Sequence, residues 1–441
     1  MQEFLQNPNS ADAMRLAKAA GLNADPEQLR ELLKQLQAAM AASTPAGGAS
    51  PSGVNWSVAA QQAKTIARQT NYAVSEQQRD AIRDAVSIAS LWLSQAVSVA
   101  ELGNEPKLLT RDLWVDDATA LMRALSEPIA LRMSGALTEH MQKNAPEELQ
   151  GILGSAGGLM QQAGGALFAM QIGGAMGKLS TQVISGADLG LPIFTDSRAA
   201  FVPQNMDEFV RGLEVEPDQV RIYLAVRELA HARLFKQARW LRDHVVSQVV
   251  NYASQIEIDD SSISKLAEFG EATTAEEVQE LFENQAFLAP KTEDQEAALE
   301  RIETMLALIE GWVEAVSESA TTLLPKSVAI AEAVRRRRAT GGPAELTFGT
   351  LLGLELRPRR LREATAMWRE VGAAVGNELR DSLWNHPDLL PSAEEIDNPK
   401  LLIDRLRGKV GSAEAGTSSS DSSDGPEGDA FDQALRDLLG E

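Results

Sequence analysis

The chain has 441 residues, of which 41 are basic and 63 acidic, giving a formal net charge of −22. That balance argues against nucleic acid or an anionic membrane as the principal partner. There is no cysteine, which excludes disulfides, thiolate metal sites, iron–sulfur clusters and a cysteine nucleophile.

The first twenty residues carry Glu3, Asp12, Arg15 and Lys18 and contain no apolar run, so they do not read as a secretory signal and a cytoplasmic location is expected. Residues 1–42 are expected to form short polar helices, the second over Gln28–Met40. Ser43–Val54 (STPAGGASPSGV) has the composition of a flexible linker. The compact domain is expected over 55–408. Asn55 suits the N-cap of a helix starting at Trp56. Ser75 and Gln78 have the spacing of a capping box, followed by Ala85, Ile88, Leu91 and Trp92 at helical intervals. Similar patterns fill 117–143, 217–254, 274–284, 293–320, 325–339 and 358–384. Strand signals are confined to Leu189–Phe194 and Ala199–Pro203. The fold class expected is mainly α with little β structure.

Leu149–Gly177 has no charged residue and nine glycines. The glycines, with Gln161, Gln162 and Gln171, make it too polar for a membrane span, so a buried helical segment with close packing is expected instead. After Val410 the composition turns to GSAEAGTSSSDSSDGPEGD, and residues 409–429 are expected to be a disordered acidic, serine-rich linker. Residues 430–441 are expected to form a short amphipathic helix, with Phe431, Leu435, Leu438 and Leu439 on one face of Asp429–Leu439. Two readings stay open for it: a tethered docking motif for a protein or peptide partner, and a fraying tail.

The most informative stretch is Arg227-Glu228-Leu229-Ala230-His231. An HExxH helix places two imidazoles one turn apart on one face, where they grip Zn²⁺, and sets the glutamate beside the metal-bound water. Here the first position is arginine, which offers no lone pair to a metal. The helix is expected to start at Pro217, with Asp218 complementing its dipole. Val220, Leu224, Arg227, Glu228, His231 and Phe235 then share a stripe facing the interior, where charges must be paired. The chain has only four histidines: His140, His231, His244 and His386. Position 237 is glutamine, so a third histidine ligand six residues after His231 is absent. Later in the chain, Glu310 and Glu314 lie one turn apart in the apolar setting of Leu306, Leu308, Ile309 and Val316.

These motifs resemble the zincin-like metallopeptidase family, whose members are labelled hydrolases or zinc-dependent metalloproteases and include a branch associated with biosynthesis of a deazaflavin coenzyme. The matching stretches are Asn55-Trp56, Leu91-Trp92-Leu93, Gly186–Pro192 (GADLGLP), Tyr223–Phe235 (YLAVRELAHARLF) and Leu306–Glu314 (LALIEGWVE). Arg335–Gly342 (RRRRATGG), Leu354–Arg362 (LELRPRRLR) and Leu383–Pro391 (LWNHPDLLP) complete them. The resemblance implies zinc as cofactor, Glu228 as general base, and His231 and Glu310 as metal ligands, with Glu314 behind them. Arg227 departs from that pattern. Its guanidinium can instead bind Glu310 or Glu228 and replace the metal's charge, in which case no cofactor is needed. His386, in the loop Trp384–Asp388, is either a contributor to the site or a residue locking its own loop. Arg335–Arg338, with Arg357, Arg359, Arg360 and Arg362, forms a basic island that either holds an anion or makes internal salt bridges.

Overall fold

The computed structural model of the protein describes residues 50–144, 165–166, 168–257, 289–339 and 360–418. Helices dominate them, as composition and periodicity imply. In chain order they are α1 (Trp56–Arg68), α2 (Glu76–Ala96), α3 (Arg111–Asn144), α4 (168–180), α5 (Pro203–Arg211), α6 (Pro217–Gln237) and α7 (Arg239–Ser254). Then follow α8 (Glu293–Ala320), α9 (Ser327–Ala339), α10 (Leu361–Ser382), α11 (Ala393–Asp397) and α12 (Pro399–Ser418). Two short strands, β1 (Lys107–Leu108) and β2 (Ala200–Phe201), pair in parallel.

The expected helix starts are present. The Asn55 Oδ1 accepts from the amides of Ser57 and Val58, and Ser75 and Gln78 form a reciprocal capping box. Thr292 and Gln295 form a second box at the head of α8. The ordered domain begins earlier than expected: Ser50, Ser52 and Val54 are buried, and Ser52 bonds the carboxylate of Glu127. Composition alone therefore overstates the linker. At the other end, α12 continues to Ser418, past the expected boundary at 408, through the helix-forming Ala413, Glu414 and Ala415. The expected helices of 1–42, the helix 274–284, the tail beyond 418 and the motif Asp429–Leu439 lie outside the described residues.

Two further expectations need correction. Leu189–Phe194 is a chain of turns rather than a strand: Gly190 sits at φ +79°, and Pro192 has no amide for a ladder. The pattern 217–254 is two helices rather than one, because Ala238 (φ −94°, ψ 71°) breaks the chain direction between α6 and α7. Neither Gly nor Pro marks that break.

α6 is the central element. It packs along α2 and α8, and α8 packs in turn along α10. Every residue from Ile222 to Phe235 is buried, so that stretch has no solvent face and Arg227, Glu228, His231 and Arg233 are interior. In α4, Gly173 and Gly177 let the backbone approach α1 closely: a Cβ at Gly173 would lie 2.7 Å from the Ala59 carbonyl oxygen. This fits the expected close packing of the described part of the glycine-rich stretch. Among the described residues no helix is long and apolar enough to cross a membrane.

Gly311 carries the same logic between α8 and α10. A Cβ there would sit 2.8 Å from the Cβ of Ala364 and 2.9 Å from backbone atoms of Ala364 and Thr365. Gly311→Ala is therefore expected to force the helices apart and cost about 1–3 kcal/mol, read from the midpoint of urea unfolding.

Candidate functional site

The centre of the site is the Glu310 carboxylate, on α8 and only 2% exposed. Its Oε1 lies 3.0 Å from His231 Nε2, and its Oε2 accepts from Arg227 Nη2 at 3.1 Å. Arg338, from α9, donates a further short bond to Oε2. Burial alone would push this carboxyl up. The Arg338 guanidinium and His231 outweigh it and hold Glu310 well below the usual carboxylate range.

The residues that the motif helix brings together are thus Arg227 and His231, one turn apart, on one carboxylate 79 positions beyond His231. The other ring nitrogen of His231, Nδ1, is 3.0 Å from the Arg227 carbonyl oxygen. Each ring nitrogen thus lies within hydrogen-bonding distance of an oxygen acceptor.

Glu228 points to a different neighbourhood. Its Oε1 accepts from the Ala200 amide at 2.9 Å and its Oε2 from the Ala187 amide at 3.1 Å. Burial pushes this carboxyl up, against the lowering effect of those amides and the Ser185 hydroxyl. The glutamate ties the motif helix to both ends of the segment between Gly186 and β2. Gly186 is where that segment presses on it: a Cβ there would be 3.1 Å from Glu228 Oε1 and 3.2 Å from the Cβ of Ala200.

The basic run on α9 supplies the remaining partners. Arg335 bonds Glu314 at 2.7 Å, Arg337 grips Asp188 with two bonds of 3.0 and 2.9 Å, and Arg338 takes Glu310. Asp188 is pushed up by burial, but Arg337 prevails and keeps it below its ordinary value. The arginine island is thus built into the domain through internal ion pairs. Glu314 is buried one turn beyond Glu310 and pairs with Arg335. Sequence reasoning did not connect the arginine run with Glu310. The available signal was a surplus of buried acids on α8 facing a helix with four consecutive cations.

His386 is outside the cluster. Its side chain is 63% exposed, and its Nδ1 accepts from the Asp388 amide at 3.2 Å, capping the short 3₁₀ turn Pro387–Leu389. It locks its own loop. His244 stands edge-on to Trp240, and Arg360 pairs with Asp397; Arg357 and Arg359 lie outside the described residues.

Whether these residues suit zinc follows from their chemistry. A tetrahedral site needs three protein donors with free lone pairs. Here His231 and Glu310 offer two, and both are engaged with each other. Two guanidinium groups point at the same carboxylate, where a cation would have to sit. Among the described residues no group of three His, Cys, Asp or Glu side chains is arranged to hold a metal ion. The donor set does not fit the ion. The recess between Glu228, His231, Arg227 and Arg338 is about 30 Å³, room for a water or two and not for a peptide side chain.

The profile of the family described as zincin-like metallopeptidases matches residues 54–403. A crystal structure from Chloroflexus aurantiacus, described as a candidate hydrolase with a novel fold, superposes with a TM-score of 0.54 at 19% identity. The match covers 80% of this chain and 99% of that one, and at this identity it speaks for the fold alone. No curated protein matches the sequence.

Removing Glu310 leaves Arg227 and Arg338 without their shared counter-charge. Glu310→Ala is expected to cost about 3–5 kcal/mol in denaturant unfolding at pH 7. Because the folded carboxyl is held below its unfolded value of about 4.3, its contribution is complete above that pH and is lost as pH falls through the folded value. The acid limb of the wild-type stability curve should therefore be steeper than that of Glu310→Gln. Glu228 has the opposite sign: with its folded value raised, its contribution is present in acid and declines as pH rises through that value.

Proposed function

Because the chain belongs to the zincin-like metallopeptidase family and carries Arg227 where the zinc motif has its first histidine, we propose that it is a catalytically impaired member. In this reading guanidinium groups replace the metal's charge. The observation that carries it is the Glu310 carboxylate, engaged by Arg227, Arg338 and His231 at once. Arg227 supplies a permanent positive charge one turn from His231 and satisfies the carboxylate that would otherwise need a cation. Glu228 serves as an acceptor for two backbone amides, which leaves it poorly placed to take a proton from water. The protein then acts by binding rather than by hydrolysis, as a non-catalytic scaffold that keeps the family's architecture.

Metal content and peptide hydrolysis decide between this and an active enzyme using His231, Glu310 and Glu228. The wild type, purified without added metal and then equilibrated with Zn²⁺, is expected to hold no stoichiometric zinc and to show no zinc-dependent cleavage. Arg227→His is expected to gain zinc affinity, since it restores a third donor and removes a cation. Zinc-dependent hydrolysis by the wild type, abolished in a folded Glu228→Gln variant, would overturn the proposal. Circular dichroism on that variant checks folding, since the introduced carboxamide would bring an N–H donor to a position where the native carboxylate only accepts.

A further inference from the structure

The C-terminal end of the motif helix borders a second, larger recess, separate from the ion cluster. It measures about 520 Å³, within the range of roughly 300–1,000 Å³ typical of small-molecule sites. Its walls are the end of α6, the first turn of α7, and the loops around residues 102–104 and 195–198.

The charge of this recess runs against that of the chain. Arg198, Lys236, Arg239 and Arg242 line it with Asp196 and Asp243, so four cations less two carboxylates leave +2 in a chain of net −22. The two carboxylates do not neutralise the set. Arg198 reaches Asp196 at 3.2 Å and Arg242 reaches Asp243 at 3.5 Å, with the aspartates 48% and 83% exposed, so solvent weakens both pairs. Lys236 donates to the Glu101 carbonyl, which carries no formal charge. Arg239 is exposed, and among the described residues it has no carboxylate partner. Arg198 Nε is buried with no acceptor. Phe235 and Leu102 supply an apolar wall.

We propose that this recess binds a small organic anion carrying at least two carboxylate or phosphate groups. Cations come both from the 195–198 loop and from the α6–α7 junction, and the volume of about 520 Å³ exceeds what a single such group fills. The concave shape and the acidity of the rest of the chain disfavour an extended polyanion such as nucleic acid. The site does not depend on whether the motif helix binds zinc.

Calorimetric titration of the full chain with pyrophosphate, and in parallel with citrate, tests this and separates the two chemistries. At least one of them is expected to bind one-to-one, more weakly as KCl is raised. Arg239→Ala, which breaks no ion pair, is expected to lower that affinity roughly tenfold or more. Arg227→His, in the ion cluster, is expected to leave it unchanged. Failure of both probes to bind one-to-one overturns the proposal, as does binding that is equal in wild type and Arg239→Ala.

Discussion

One buried carboxylate organises this protein. Glu310 is removed from water, and that is tolerated only because Arg227, His231 and Arg338 face it from two other helices. Its immediate neighbours in sequence extend the effect. Gly311 admits α10 to near backbone contact. The Trp312 indole donates to Asp381 at 2.8 Å, and Asp381 in turn accepts from Arg380 and from the Ser98 amide at the end of α2. Glu314 takes Arg335. Within five residues α8 thus contacts the motif helix, the arginine helix, α10 and the end of α2 through specific chemistry.

The same arrangement separates two roles that a motif reading merges. In an HExxH helix the glutamate and the histidines serve one reaction. Here Glu228 and the pair Arg227–His231 turn to different neighbours: the glutamate to the amides of Ala187 and Ala200, the pair to Glu310. Each set is satisfied by the protein itself. Such satisfied buried polar groups stabilise and orient a fold, and their presence needs no substrate to explain it.

Much of this was legible in the sequence, and the exceptions have identifiable causes. Capping chemistry located the starts of α1 and α2 because Asn55 and Ser75 act on amides two or three residues away. The motif helix and Glu310 were legible because periodicity places Arg, Glu and His in apolar surroundings, where they require partners. The break at Ala238 was not, since it is made by tertiary packing around an alanine with no intrinsic preference for it. Leu189–Phe194 looked extended by its apolar content, but Gly190 and Pro192 commit the backbone to turns. The partners of Glu228 left no trace in composition, because backbone amides belong to every residue. Arg338 was visible only as one of four identical neighbours, and nothing local says which of them faces inward.

The ion cluster also bears on how the chain reaches this fold. Residues 310 and 338 lie on consecutive helices joined by residues 321–326, whereas residue 227 is on a helix distant from both in sequence, and none of the charges can be buried without cost before its counterpart arrives. A packing of α9 that put Ala339 rather than Arg338 opposite Glu310 would leave that carboxylate short of a cation at a cost of several kcal/mol. An all-apolar interface would tolerate such a slip far more readily. The cluster therefore acts as a register key, penalising arrangements of α6, α8 and α9 that leave one of these charges unpaired.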